Sequence, residues 1–188
     1  MDDAKGKGLT LTMDEMEAFL VNRARAGDSD AFATLVCRHQ RMVYNLALKI
    51  LGDSHQAEDV QQEVFLSALR SVGKFRGDAS FSTWLYRIAL NACRRALKKR
   101  PPPARSLSEA ADIVHHSGAE EALVIQDALS GLPDKHRIAL VLHCMFSYTY
   151  DEAGKLMGVP AGTVKSYVYR GKRALRHILA EETENEMR

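Results

Sequence analysis

The chain has 188 residues, 46% of them hydrophobic and 27% charged, with a net charge of only +2. That length suits one domain or two small ones, and the composition is that of an ordinary globular protein. No 18-residue apolar stretch occurs, and the start of the chain lacks an apolar run of signal-peptide length. The three cysteines, Cys37, Cys93 and Cys144, are odd in number and fit neither a zinc spacing nor a disulfide framework. A cytoplasmic chain with reduced thiols, no bound metal or cofactor and no membrane insertion is the expectation.

Strand signals are weak, so the elements expected are all helical. Residues 1–12 read as a loose tail. A first helix is expected over 14–26, with Met16, Phe19, Leu20 and Ala24 on its apolar face and Gly27 as its stop. Asp28, Ser29 or Asp30 then caps a longer helix through Leu51, with Phe32, Leu35, Val36, Val43, Leu46, Ala47 and Ile50 as its stripe. Asp53 or Ser54 caps the next, whose buried face reads as Val60, Val64, Phe65, Ala68 and Leu69. Its other face carries Glu58, Asp59, Gln62 and Glu63, and 52–63 contains no Lys or Arg. Such a face is usually just solvated; the alternative is docking to a basic protein partner.

Residues 75–100, FRGDASFSTWLYRIALNACRRALKKR, begin as a loop with Gly77, Asp78 and Ser80 and continue as a helix with Leu85, Ile88, Ala89, Ala92 and Ala96 at helical spacing. From Trp84 to Arg105 there are seven Lys/Arg and no acid. Aromatic rings beside a basic helix suit a polyanion whose bases can be stacked on; the alternative is a solvated basic face with Phe81, Trp84 and Leu85 filling a core. Three consecutive prolines then forbid helix and favour a semi-rigid spacer, and the roughly twenty residues that follow Arg100 reach on the order of 60 Å when extended. His115 and His116 have no Cys or acidic partner at ligand spacing and read as linker histidines.

A further helix is expected over 119–129, ended by Gly131-Leu132-Pro133, and another over 134–146. A short helix from Tyr150 to Met157 is stopped by Gly158. Thr163 can cap a last helix over 164–180, with Val164, Val168, Gly171, Leu175 and Ile178 buried and Lys165, Ser166, Tyr169, Arg170, Lys172, Arg173 and Arg176 exposed. Two helices joined by a short glycine-containing turn, the second basic, describe a helix-turn-helix. Arg170 and Lys165 can donate to guanine, while Ser166 and Tyr169 can reach phosphates or bases. No HExxH, Walker loop, nucleophile elbow or paired catalytic acids are present, so no catalytic residues are expected.

GDSDAFATLV, QAEDVQQEVFLSAL, KFRGDASFSTWLYRIALNACRR and LPDKHRIALVLHC…GVPAGTVKSYVYRGKRAL together resemble, in order and spacing, the extracytoplasmic-function (ECF) sigma factors of the sigma-70 family. The resemblance implies an alternative sigma factor of bacterial RNA polymerase. Two small helical domains, 13–99 and 119–180, would be joined by a Pro-rich flexible linker, 100–118, and followed by an acidic tail, 181–188. The first would bind core polymerase and help melt the −10 element, and the second would read the −35 element. For the −10 DNA it implies Phe75, Ile88 and Asn91 around a flipped base, with Arg94, Arg95 and Lys98 on phosphates. Lys165, Ser166, Tyr169, Arg170 and Arg173 are the candidates for the −35 duplex. Asp59, Gln62 and Glu63 would meet the clamp helices of one large polymerase subunit, while the second domain touches the flap of the other. An anti-sigma factor is the further partner implied. The competing reading is a free-standing helix-turn-helix regulator acting without polymerase. The chain departs from the family pattern at Gln56, Gly154, Tyr167 and Gly171.

Overall fold

The computed structural model describes residues 12–99 and 119–186, and among these every regular element is a helix, without a strand. Of the expected tail at 1–12, residues 1–11 lie outside the described residues, as does the linker at 100–118, whereas Thr12 is the N-cap of the first helix. The first unit holds α1 (Met13–Arg25), α2 (Ser29–Leu51), α3 (Ser54–Ser71) and α4 (Phe81–Lys99). The second holds α5 (Ala119–Ser130), α6 (Asp134–Leu140), α7 (Tyr150–Met157) and α8 (Ala161–Glu186).

Local chemistry sets most boundaries. Thr12 and Glu15 form a capping box at the start of α1. The Asp28 carboxylate accepts from the Asp30 and Ala31 amides at 2.9 and 3.0 Å. Asp53 accepts from the Gln56 amide at 2.8 Å. Each cap satisfies amides that a helix start would otherwise leave without a partner, a stabilisation of about 1 kcal/mol. Gly52 ends α2 in the left-handed region at φ 73°, which glycine adopts without a Cβ penalty.

Helix α2 is the axis of the first unit. Leu35, Val43, Leu46 and Ile50 on it are fully buried and meet Val64 of α3 and Leu85, Leu90 and Cys93 of α4. Burying each such leucine stabilises by roughly 1.5–3 kcal/mol. Helix α1 buries Leu20, Val21 and Ala24. Phe19, expected on that face, is instead half exposed, with the Arg23 guanidinium over its ring. The reason is Glu17, which points inward to His39 Nε2 at 3.0 Å. Turning Glu17 toward the core places Phe19, two positions on, at the far side of the helix. Leu69 also departs from expectation. The buried arc of α3 is Ala57, Val60, Val64 and Ala68, and Leu69 lies outside it, half exposed.

In the second unit α6 passes into a π-helical turn, Val141–Met145, that sequence periodicity did not show. A capping box of Thr149 and Glu152 starts α7, and Gly158 at φ 71° ends it. The Thr149 amide and hydroxyl hold the Glu152 carboxyl below its ordinary value. Thr163 is not the cap of α8, because the helix starts two residues earlier and the Pro160 carbonyl already accepts from the Thr163 and Val164 amides. Helix α8 also runs past Ala180 to Glu186. No helix among the described residues is long and apolar enough to cross a membrane.

Two glycines permit close approach. A Cβ on Gly154 would lie 2.7 Å from the Val159 carbonyl oxygen, inside the helix-turn-helix turn. One on Gly171 would lie 2.7 Å from Leu140 Cδ1, where α8 crosses α6. Both are buried.

Candidate functional site

The loop between α3 and α4 and the first turns of α4 form a cavity of about 200 Å³. Ser80 positions it by accepting from the Thr83 amide at 3.1 Å, which starts α4 directly after the loop. Phe75 and Trp84 give the cavity aromatic walls, and their ring centroids are 5.2 Å apart. Phe81 packs behind both, at 5.8 and 5.4 Å, and His39 packs behind Phe81 at 5.4 Å. The rim carries Lys74, Arg76 and Arg87, with Asp78 as the one carboxylate. Aromatic faces under a ring of cations are chemically matched to a nucleotide, the base stacking and the phosphate paired.

The candidates from sequence divide here. Phe75 lines the cavity. Ile88 is half-buried against the core and Asn91 is exposed further along α4; neither lines it. Arg87, Asn91, Arg95 and Lys98 follow one another along one exposed side of α4. Arg95 is paired with Glu63 of α3 at 2.5 Å. Arg94 is drawn off this stripe: it is half-buried and donates to the Met157 carbonyl of the second unit at 2.9 Å. Burial pulls its pKa down. Sequence reasoning did not single out Lys74 and Arg76, although the alternation Lys-Phe-Arg at 74–76 is a usable signal for a stacked and charged contact.

On α3, Glu58, Asp59, Gln62 and Glu63 are all exposed, as expected. Leu66 and Leu69, 54% and 51% exposed, stand on the same side. An acidic helix face with two uncovered leucines is suited to burial against a basic, partly apolar protein surface.

On α8, Lys165, Ser166, Tyr169, Arg170 and Arg173 are all exposed, Tyr169 by 70%. The Ser166 hydroxyl donates back to the Gly162 carbonyl at 3.1 Å, so it offers lone pairs outward more readily than its proton. Behind this face the Tyr167 ring packs at 5.5 Å from His136. Burial and the nearby Arg170 charge lower the His136 pKa, which keeps the imidazole neutral under a cationic surface.

Comparison with known proteins identifies the family. Residues 35–101 match the Sigma-70 region 2 family model and residues 122–175 match Sigma-70, region 4. The RNA polymerase sigma-H factor of Pseudomonas aeruginosa is 33% identical over 182 residues, covering 88% of this chain and 94% of that one. The ECF RNA polymerase sigma factor SigW of Bacillus subtilis is 33% identical over 178 residues, covering 86% and 95%. Among solved structures, CnrH in complex with the cytosolic domain of CnrY has the same fold, with a TM-score of 0.69 at 23% identity over 88% of this chain and 98% of that one. The chain therefore belongs to the sigma-70 family, and within it to the extracytoplasmic-function sigma factors.

Proposed function

We propose that this sigma factor binds core RNA polymerase through the exposed side of α3, directs it to promoters and assists their melting, with no catalytic step of its own. The observation that carries this reading is the α3 face itself. Asp59, Gln62 and Glu63 stand with the uncovered Leu66 and Leu69, and acids repel the phosphates that the neighbouring faces attract, so this side serves a protein. The clamp helices of one large subunit are the partner proposed for it, and the flap of the other for the helix-turn-helix unit. An anti-sigma factor covering the α3 face would compete with polymerase for the same surface.

The two DNA faces take different forms of DNA. The cavity beside Phe75 suits a single base drawn from the stack, since extruding a base costs a few kcal/mol that stacking and edge hydrogen bonds offset. Ile88 and Asn91 follow it one and two turns further along α4, Arg95 and Lys98 serve the adjoining phosphates, and Arg94 joins them only on leaving the Met157 carbonyl. The α8 face suits intact −35 duplex, with Lys165 and Arg170 directed to base edges and Ser166, Tyr169 and Arg173 to backbone or bases.

The test is run-off transcription with purified core polymerase at low salt. The wild-type chain should redirect core to a defined promoter, and Leu66→Asp/Leu69→Asp should abolish core binding. Arg170→Ala should weaken −35 duplex binding by ~1–3 kcal/mol, whereas Asn91→Ala should slow opening with closed-complex binding retained. A wild-type chain that fails to bind core would sink the reading.

A further inference from the structure

Among the described buried residues of α2, His39 alone is polar. Leu35 and Val43, one turn to either side of it, are fully buried. An apolar side chain would fill the place without the cost of drying an imidazole. The two contacts of the ring show what the imidazole does there. On one side Nε2 meets a carboxylate oxygen of Glu17 on α1 at 3.0 Å; a carboxylate accepts, so Nε2 is the donor. On the other side the ring lies 5.4 Å from the Phe81 ring, tilted at 58°. Phe81 in turn backs both aromatic walls of the cavity, 5.8 Å from Phe75 at 86° and 5.4 Å from Trp84 at 39°. A series Glu17–His39–Phe81 therefore runs from α1 through α2 to the back of the cavity. Helix α1 braces the same site again at its other end. A Cβ on Gly73 would lie 3.8 Å from the Arg25 carbonyl oxygen, and Gly73 stands two residues before Phe75.

We infer that His39 is a positioning residue for the base cavity: held in one orientation by Glu17, it fixes Phe81 and through it the Phe75 and Trp84 rings. That a promoter base is the occupant rests on the sigma reading above; that α1 sets the rings does not. The last torsion of a histidine side chain has broad wells, so an imidazole without a partner at Nε2 swings. Bonded to Glu17 it keeps one plane, and Phe81 packs against that plane. Interiors are packed at nearly crystalline density, so a tilt of one ring is felt by the next. Walls already held at their working angle bind a base without first being ordered, and avoiding that ordering cost appears as affinity. Glu17 and His39 touch no DNA themselves. They act through Phe81.

Trp84, the only tryptophan, reports on the cavity directly. In the full chain without DNA, His39→Leu and Glu17→Leu should each raise acrylamide quenching of Trp84 emission by roughly half or more, as a wall freed to tilt opens to solvent. Glu17→Gln keeps an oxygen that accepts from Nε2 and should stay near wild type. Seven-nucleotide single strands carrying each base in turn at the centre then probe the site. Both leucine variants should bind the preferred strand about three- to tenfold more weakly, the effect of ordering one or two more side chains on binding. Glu17→Gln should retain the affinity, and duplex binding through α8 should be unaffected in all three. Leucine variants that lower the melting temperature yet leave Trp84 as in the wild type would reduce the pair to a strap for α1 and overturn the inference. A Trp84 signal that moves while strand affinity holds overturns it as well. Should His39→Leu not fold, Glu17→Leu carries the test from a half-buried position on α1. A wild-type chain that binds none of the strands fails the sigma reading instead, and the fluorescence of the free chain still decides whether α1 sets the rings.

Discussion

Replacing Gly154 with alanine sets two effects of opposite sign against each other. Helix propensity alone favours alanine by about 1 kcal/mol inside α7. The added Cβ, however, would lie 2.7 Å from the Val159 carbonyl oxygen, 3.4 Å from the Ala161 nitrogen and 3.6 Å from Ala161 Cα. Carbon–oxygen contacts are comfortable only from about 3.3 Å, so the turn must retreat by roughly half an ångström. Every atom met is backbone, and no rotamer change can relieve the overlap. Overpacking of this kind costs ~1–3 kcal/mol, and the immobile partner places the cost in the upper half of that range. The net expectation is a loss of about 1–2 kcal/mol, a fall of roughly 5–15 °C in the melting of a unit this size. Far-UV circular dichroism of the full chain measures it. Trp84, the only tryptophan, lies in the first unit and should report a smaller change. Gly171→Ala makes the comparison sharper, because its Cβ would meet Leu140 Cδ1 at 2.7 Å and Cγ at 3.0 Å, a side chain that can yield. It should cost less than Gly154→Ala. A melting temperature raised or unchanged in Gly154→Ala would refute the steric argument and leave propensity in control.

His136 makes stability depend on pH. Its pKa is lowered from 6.5 by burial and by Arg170, so below 6.5 the unfolded chain takes up a proton more readily than the folded one. Stability is full above that value and declines as pH falls through the lowered one; urea midpoints taken from pH 8 downward should show the decline, and His136→Gln should flatten it. The thiols should separate by reactivity. Cys37 and Cys144 are exposed, whereas Cys93 is buried with its pKa pushed up to about 12, so a thiol-titrating reagent should modify the first two natively and Cys93 only in denaturant. Modification of all three at one rate would contradict the packing of α4.

Helix boundaries were legible wherever one residue satisfies a local need: Asp28 and Asp53 at N-caps, Gly52 and Gly158 at left-handed ends. The basic exposed side of α8 was legible from its period. What escaped depended on partners distant in sequence. Phe19 is outside because Glu17 reaches a histidine twenty-two residues on, and Leu69 is outside because α3 turns its alanines and valines inward. The cavity at Phe75 was legible in part. Its aromatic walls follow from residues close in sequence, but Lys74 and Arg76 sit on its rim only because the loop folds back toward α4. Helix propensity marked Gly154 and Gly171 as weak points, whereas the backbone and the side chain that meet them make both glycines fitting. The contact of Tyr86 with Phe146 and Tyr148 left no mark in the sequence, since an aromatic on a buried helix face reads as core whichever unit covers it.

The ion pair of Arg95 with Glu63 joins a residue proposed for DNA to one proposed for polymerase, each side chain about half exposed. A single bond then stands in the way of two ligands, and whichever arrives first has broken it on behalf of the other. Linkage makes that assistance mutual: polymerase at Glu63 improves DNA binding at Arg95 by the same factor that DNA improves polymerase binding. An exposed pair is worth ~0.2–1 kcal/mol, so the factor is at most about fivefold. Glu63→Gln should raise the affinity of the free chain for a −10 strand by up to that factor, and an unchanged affinity would show the pair to be silent. The α3–α4 surface thereby acquires a modest preference for assembling all three components together over any two of them.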